Sequence, residues 1–189
     1  MKAMFVSTEY IYKYTVIENN VDADLINKMI IKAQDMNIQS VLGQRLYKKL
    51  LNDCPSFSGD YLTLVKDYIQ PALAEWLLYH ILPFINYKLT NKAVSTKNSD
   101  NSNPSGIEDL KWLRSQIRDN AEFYSERIID YIKDNETSFP EYFLYDDNEL
   151  RPSRSVYFSG IYTRRKRYGY DYDWNSKKNG YGYGKNGDC

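Results

Sequence analysis

The sequence predicts a mainly α fold: a bundle of about four helices, an N-terminal extended arm and a largely irregular C-terminal tail. Three observations lead there. Apolar residues recur at steps of three and four over most of residues 22–133. Residues 5–17 are instead β-branched and aromatic, with partial alternation. Charge then divides the chain: residues 1–150 hold 16 Lys/Arg against 22 Asp/Glu, net −6, and residues 151–189 hold 9 against 3, net +6. The zero net charge of the 189-residue chain hides an acidic body and a basic tail. We divide it into a helical domain at 1–142, whose arm spans 1–21, and a basic Tyr/Gly-rich extension at 143–189.

The elements follow in order. In FVSTEYIYKYTVI, residues 5–17, Tyr10, Tyr12, Tyr14 and Val16 share one parity, the pattern of a strand-like arm. Asn19, Asn20 and Asp22 supply a turn and a helix N-cap. A first helix over Asp22–Met36 carries the stripe Leu25, Ile26, Met29, Ile30, Ala33, with Asp24 placed to pair with Lys28. A second stripe, Val41, Leu42, Leu46, Leu50, follows Asn37, and both stripes read as core. Residues 52–60 form a loop by composition.

Tyr61–Ile85 is the next apolar segment. Pro71 within it predicts a break or kink near Gln70, or a new helix starting there. Leu73, Trp76, Leu77, His80, Ile81 and Phe84 line one face, so His80 reads as a satisfied core histidine. Residues 95–106 form an exposed polar loop. Ser105 and Glu108 make a capping box for a last helix over Ile107–Lys133. Its stripe is Leu110, Leu113, Ile117, Ala121, Tyr124, Ile128, Tyr131. This helix packs on the bundle in the favoured reading; Ala121 and two tyrosines make it a poor coiled-coil seam.

Whole classes of function drop out. Mean hydropathy is −0.65, and no apolar run reaches the roughly 18 residues of a membrane span. Residues 1–13 have no stretch resembling a signal peptide. Cys54 and Cys189 supply neither a disulfide framework nor a metal cluster, and fit synthesis in a reducing cytoplasm. A single histidine leaves little room for His-based acid–base or metal chemistry. G-x-S-x-G, H-E-x-x-H and P-loop motifs are absent. Cys54 has no histidine partner if His80 faces the core, and Gly43 stands alone in VLGQRL and cradles no phosphate. Asp146, Asp147 and Glu149 read as solvated carboxylates rather than a cation site. We therefore expect no catalytic residue, no metal ligand and no cofactor, and a protein that is not an enzyme.

The tail is the unusual part. It holds seven of the 19 tyrosines and six of the nine glycines, and Val156 and Ile161 are its only aliphatics. Arg164, Arg165, Lys166 and Arg167 run together. Tyr168, Tyr170, Tyr172 and Trp174 then alternate with Gly169, Asp171 and Asp173, which puts the aromatics on one side of an extended chain. Protein docking through Arg, Tyr and Trp anchors is the favoured role. Nucleic-acid binding, with arginines on phosphates and rings on unpaired bases, is the alternative; a solvated tail without specific contacts is the third. Aspartates between the rings weigh against a pure phosphate binder. An acidic surface, on this body or on a neighbouring subunit, equally suits the tail. The candidate partner-binding residues are these eight together with Tyr10, Tyr12 and Tyr14 of the arm.

Four stretches carry a family resemblance. They are AQDMNIQSVLGQRLYKKL, with Ala33, Gln34, Ile38, Leu42, Gly43, Leu46, Tyr47 and Leu50; YIQPALAEW, with Pro71 and Ala72; KLTNKAV at 88–94; and FPEY at 139–142. Together, in this order and spacing, they resemble the head-to-tail connector, or adaptor ring, proteins of tailed bacteriophages, particularly crAss-like phages. The resemblance covers roughly residues 7–142. Ala93 stands where that family would have a glycine, and the basic tyrosine-rich tail is not a general family feature. The resemblance implies a helical bundle that closes into a homo-oligomeric ring, typically of about twelve copies, by heterologous contacts. Such a ring is made in the host cytoplasm and sits in the virion neck between the capsid portal and the tail. Its partners would be the portal protein, adjacent neck and tail proteins, and passing DNA held without sequence specificity. No membrane is implied.

Overall fold

The computed structural model describes residues 3–89, 94–96, 107–144 and 148–153. The body is mainly helical, in the order α1 Thr8–Tyr14, α2 Ala23–Ala33, α3 Gln39–Asp53, α4 Gly59–Thr63, α5 Gln70–Asn86, a hairpin of β1 Tyr87–Leu89 and β2 Val94–Thr96, α6 Ile107–Asp134 and α7 Pro140–Phe143. A π-helical turn, Gln34–Ile38, joins α2 to α3, and another, Leu64–Ile69, joins α4 to α5. The hairpin pairs Tyr87 with Thr96 and Leu89 with Val94, antiparallel. Its strands begin and end around KLTNKAV; Ala93 and Ser105 lie outside the described residues.

The deepest row in the core has a period of four. Ile26, Ile30, Gln34, Ile38, Leu42, Leu46 and Leu50 are all fully buried. A regular α-helix turns 100° per residue, so a step of four drifts about 40° around the axis each time. Unrelieved, that drift would carry the row's far end into solvent. Two devices correct it. The π turn, in which Gln39 N–H donates to Gln34 C=O five residues back, is locally underwound. The second device is Gly43, at φ 74° and ψ 170°, which breaks α3. That conformation is open essentially to glycine alone.

The break is filled by the chain's return from α7. Gln44 N–H donates to Leu150 C=O at 2.8 Å, and Ser153 N–H donates to Ser40 C=O at 2.9 Å. Arg45 pairs with Glu149 alongside. The segment lies so close that a Cβ on Gly43 would come within 2.8 Å of Pro152 Cδ. The boundary drawn at 142–143 thus falls inside a compact unit that runs from Met1 to Tyr157.

The arm is not extended as the sequence predicts. Ala3–Val6 are non-helical and Thr8–Tyr14 form α1. Ser7 caps the helix, its Oγ accepting from Tyr10 N–H at 3.1 Å. Glu9 in the first turn and Lys13 in the last suit the helix dipole. Fully buried Ile11 anchors it. Capping and one buried contact outweigh the β propensity of the aromatic run.

Before α1 the backbone is held by side-chain amides. Gln34 Oε1 accepts from Phe5 N–H at 3.0 Å, while its Nε2 donates to Ala3 C=O at 3.0 Å and Tyr47 Oη at 3.3 Å. Gln70 Nε2 donates to Phe5 C=O at 2.8 Å. Tyr47 Oη in turn donates to Asp35 Oδ1 at 2.6 Å. The Phe5 ring packs edge-on against Tyr47 and Phe57.

α5 starts at Gln70, one of the two outcomes that Pro71 predicts, and the chain enters it from the π turn without a break. Gln70 N–H already reaches back five residues to Val65 C=O, and the proline enters just after that π turn. The carbonyls beside it belong to exposed Lys66 and Asp67, open to water. On α5, Leu73, Trp76, Leu77, His80 and Ile81 are buried as predicted. Fully buried Ala121 and Ser125 let α6 approach α5 closely. There Trp76 Nε1 donates to Ser125 Oγ at 2.8 Å, and Ser125 Oγ donates to Ala121 C=O at 2.7 Å.

Two stability measurements follow. Gly43→Ala should lower unfolding free energy by about 1–3 kcal/mol in urea titrations, from backbone strain and the clash with Pro152. Gln34→Leu should lower it by a similar amount, about 1–3 kcal/mol, because two buried backbone groups lose their partners. It should also speed amide exchange at Phe5, which Gly43→Ala should leave near the wild-type rate.

Candidate interaction surface

The helical form of α1 redistributes its tyrosines. On a strand Tyr10, Tyr12 and Tyr14 would share a face; on a helix only Tyr10 and Tyr14, four apart, do so. Those two rings lie 4.5 Å apart, and Lys13 Nζ sits 5.2 Å from the Tyr14 centroid. Tyr14 is 61% exposed. Tyr12 turns away, its hydroxyl donating to Val21 C=O at 2.9 Å. It thereby ties α1 to the turn before α2. Burial pushes the Tyr10 phenol up, and neighbouring Tyr14, Tyr124 and Asp67 push the same way.

Tyr10 lies near enough to Tyr124 for that ring to raise its phenol pKa, and Tyr124 begins a longer band. Tyr124 on α6 stands next to Phe123, ring centroids 5.5 Å apart, and Phe123 is 62% exposed. Arg127 lies over both Tyr68 and Tyr124, at 5.4 and 5.9 Å. Tyr68, in the second π turn, stacks on Tyr131 at 4.3 Å. Tyr131 meets Phe139 at 5.9 Å, and Tyr61 meets Phe139 edge-on at 5.2 Å. Lys49 closes the far end, 5.0 Å from the Tyr61 centroid. The Tyr61 hydroxyl donates to Glu141 at 2.8 Å; burial, then this bond, raises its pKa. Tyr131 is raised by burial and by the Asp60 carboxylate, with Asp67 adding to it. Sequence reasoning missed this band because its members come from α1, α4, the π turn and α6, segments remote from one another in sequence. A local signal existed on α6, where Tyr124, Arg127 and Tyr131 follow at steps of three and four.

The first half of α6 is a second open surface. None of residues 108–120 is buried, and the first buried residue on the helix is Ala121. Trp112 is 67% exposed and Leu113 is 42% exposed, although Leu113 belongs to the predicted packed stripe. Arg114 stacks on Tyr79 of α5 at 4.1 Å, and half-buried Ile117 packs against the core beside it.

The remaining candidates are structural. His80 Nε2 lies 2.8 Å from Asn37 Oδ1, linking α5 to the first π turn, as expected of a satisfied core histidine. Cys54 Sγ contacts Met4 C=O at 3.5 Å, and burial raises its thiol pKa, the opposite of what a nucleophile needs. Glu149 is paired with Arg45; Asp146 and Asp147 lie outside the described residues. Among the described residues no His/Cys/Asp/Glu cluster could hold a metal, and no helix is long and apolar enough to cross a membrane. Arg164, Arg165, Lys166, Arg167, Tyr168, Tyr170, Tyr172 and Trp174 lie outside the described residues.

The His80 ring gives a pH prediction. Burial, with Lys32 and Arg114 adding to it, lowers its pKa from 6.5 to about 4. The neutral ring's contribution is fully present above pH 6.5 and is lost as pH falls from there through 4, a change of at most about 3 kcal/mol. Glu75 and Glu122, whose pKa values burial raises, act in the opposite sense. Thermal melts of wild type and His80→Gln between pH 7 and 4 should therefore converge, wild type losing its advantage as acid is added.

No curated protein and no solved structure matches the chain. One family profile does, over residues 26–151, which is 126 of the 189 residues. The match begins at Ile26, the first member of the period-four row, and ends in the segment crossing Gly43. The chain therefore belongs to the family described as "Family of unknown function (DUF6712)".

Proposed function

We propose that this protein is a structural subunit of a bacteriophage neck: one copy in a ring between portal and tail, extending the DNA channel and docking tail components. The observation that carries the reading is the exposed first half of α6. A 28-residue helix, about 42 Å long at 1.5 Å per residue, leaves Trp112 67% and Leu113 42% exposed in its first half. Exposed Trp and Leu at adjacent positions are typical of protein contacts. A ring subunit needs two different contact faces, since heterologous contacts close by rotation. This half-helix and the aromatic band are two such faces on one chain. The resemblance of residues 7–142 to adaptor ring proteins supplies the location. In this reading the protein carries out no chemistry, and its partners are further copies, the portal, adjacent neck proteins and DNA passing without sequence readout.

Native mass spectrometry of the full-length protein, alone and with portal, tests this. The expected result is a closed oligomer of about twelve copies free of nucleic acid. Trp112→Lys with Leu113→Lys should shift it to monomer while the helical circular dichroism signal stays unchanged. A monomer that stays monomeric on the portal and carries nucleic acid, lost at high salt, would replace this reading with the tail-based nucleic-acid alternative.

A further inference from the structure

We infer that the aromatic band is a docking site for the basic, tyrosine-rich segment Arg164–Trp174 of a second copy of this chain. Three observations meet here. First, the band already holds a guanidinium: Arg127 lies over the Tyr68 and Tyr124 rings, so these faces suit arginine. At its α1 end Tyr14 and Phe123 are each about three-fifths exposed and flank the Tyr10–Tyr124 neighbourhood. Second, exposed Asp60 and Asp67 stand along it, close enough to raise Tyr131 and, for Asp67, Tyr10. An arginine laid between rings and carboxylates gains cation–π and ion-pair contacts together. Third, the chain supplies a segment of that chemistry. Four consecutive cations at 164–167 precede four alternating aromatics at 168–174, on an extension of charge +6 against a body of −6.

Length permits the contact. Ten residues, 154–163, separate Ser153 from Arg164, enough to span about 33 Å at 3.3 Å each. Band and segment are different patches of one chain, so passing the segment to a neighbour repeats without limit until the assembly closes. The contact is independent of where the assembly sits in a virion.

Charge reversal in full-length protein tests it, with self-association measured by sedimentation in low and high salt. Asp60→Lys with Asp67→Lys should weaken association about tenfold or more in low salt. Arg164→Glu, Arg165→Glu, Lys166→Glu and Arg167→Glu together should do the same. An equimolar mixture of the two reversed proteins should recover association, because the acidic segment of one now meets the basic band of the other. Tyr14→Ser with Phe123→Ser, at exposed positions unable to disturb the core, should also weaken association and checks that the effect is not unfolding. Unchanged association in the reversed proteins overturns the proposal. So does a mixture no better than its parents, which places any contact within one chain. A ring that keeps its mass after segment reversal removes this contact and leaves the neck reading standing.

Discussion

Gln34 sits without accessible surface in the middle of a row otherwise made of Ile and Leu. A buried primary amide is tolerable only if its polar atoms are bonded, and here they are, chiefly by the backbone of the N-terminal segment. The rest of the architecture depends on that exchange. It places Phe5 between Tyr47 and Phe57 and so plugs the bundle. It also falls at the start of the π turn, where the helix must underwind for the period-four row to stay inside. Gln70 answers from the start of α5, just after the second π turn, giving Phe5 a side-chain partner on both its N–H and its C=O. Asn37 bonds His80 from the first π turn as well. The two irregular turns are thus where separate elements are bonded into one core.

Much of this was legible beforehand, and the exceptions have physical causes. The last helix was expected at 107–133 and runs 107–134, because a long apolar stripe with steps of three and four has one good solution. α2 starts at its Asp22 cap as read, but π geometry takes over at Gln34 where the helix was extended to Met36. A glutamine hides in an apolar stripe because composition says polar, and its bonding partner lies 29 residues away. The steady step of four from Ile26 to Leu50 was the available signal for both corrections. Gly43, dismissed as a phosphate cradle, is the seat of the returning chain, and nothing near it announces a partner more than a hundred residues later. The surface was less legible than the fold. Of the three arm tyrosines, Tyr10 and Tyr14 reach the band and Tyr12 does not. The band's other members come from segments remote in sequence and join only by folding.

Chemistry is spent on cohesion throughout the described residues. Tyr47, Tyr61 and Tyr131 are pushed toward the neutral form by burial and by nearby carboxylates. His80 is pushed the same way by burial and by cations. Each sits in packing or in a hydrogen bond in place of a cleft. Two outward surfaces differ in character, one built of Trp112 and Leu113 on the first half of α6, the other of stacked tyrosines with carboxylates beside them. Surfaces that differ in this way select partners by shape and charge, which fits an assembly component.

The seat at Gly43 also has a mechanical meaning. The chain leaves α7, crosses back to α3 and is clamped there by two peptide hydrogen bonds and the Arg45–Glu149 pair. Any pull applied beyond Ser153 is therefore delivered to the first half of α3, and not to the short α7. From α3 the strain passes along the row to Gln34 and the N-terminal segment, only nine positions away in sequence. Both ends of the described body are thus anchored on neighbouring stretches of the chain, Gln34 in the first π turn and Ser40–Arg45 in α3, so force on either terminus reaches the same part of the core.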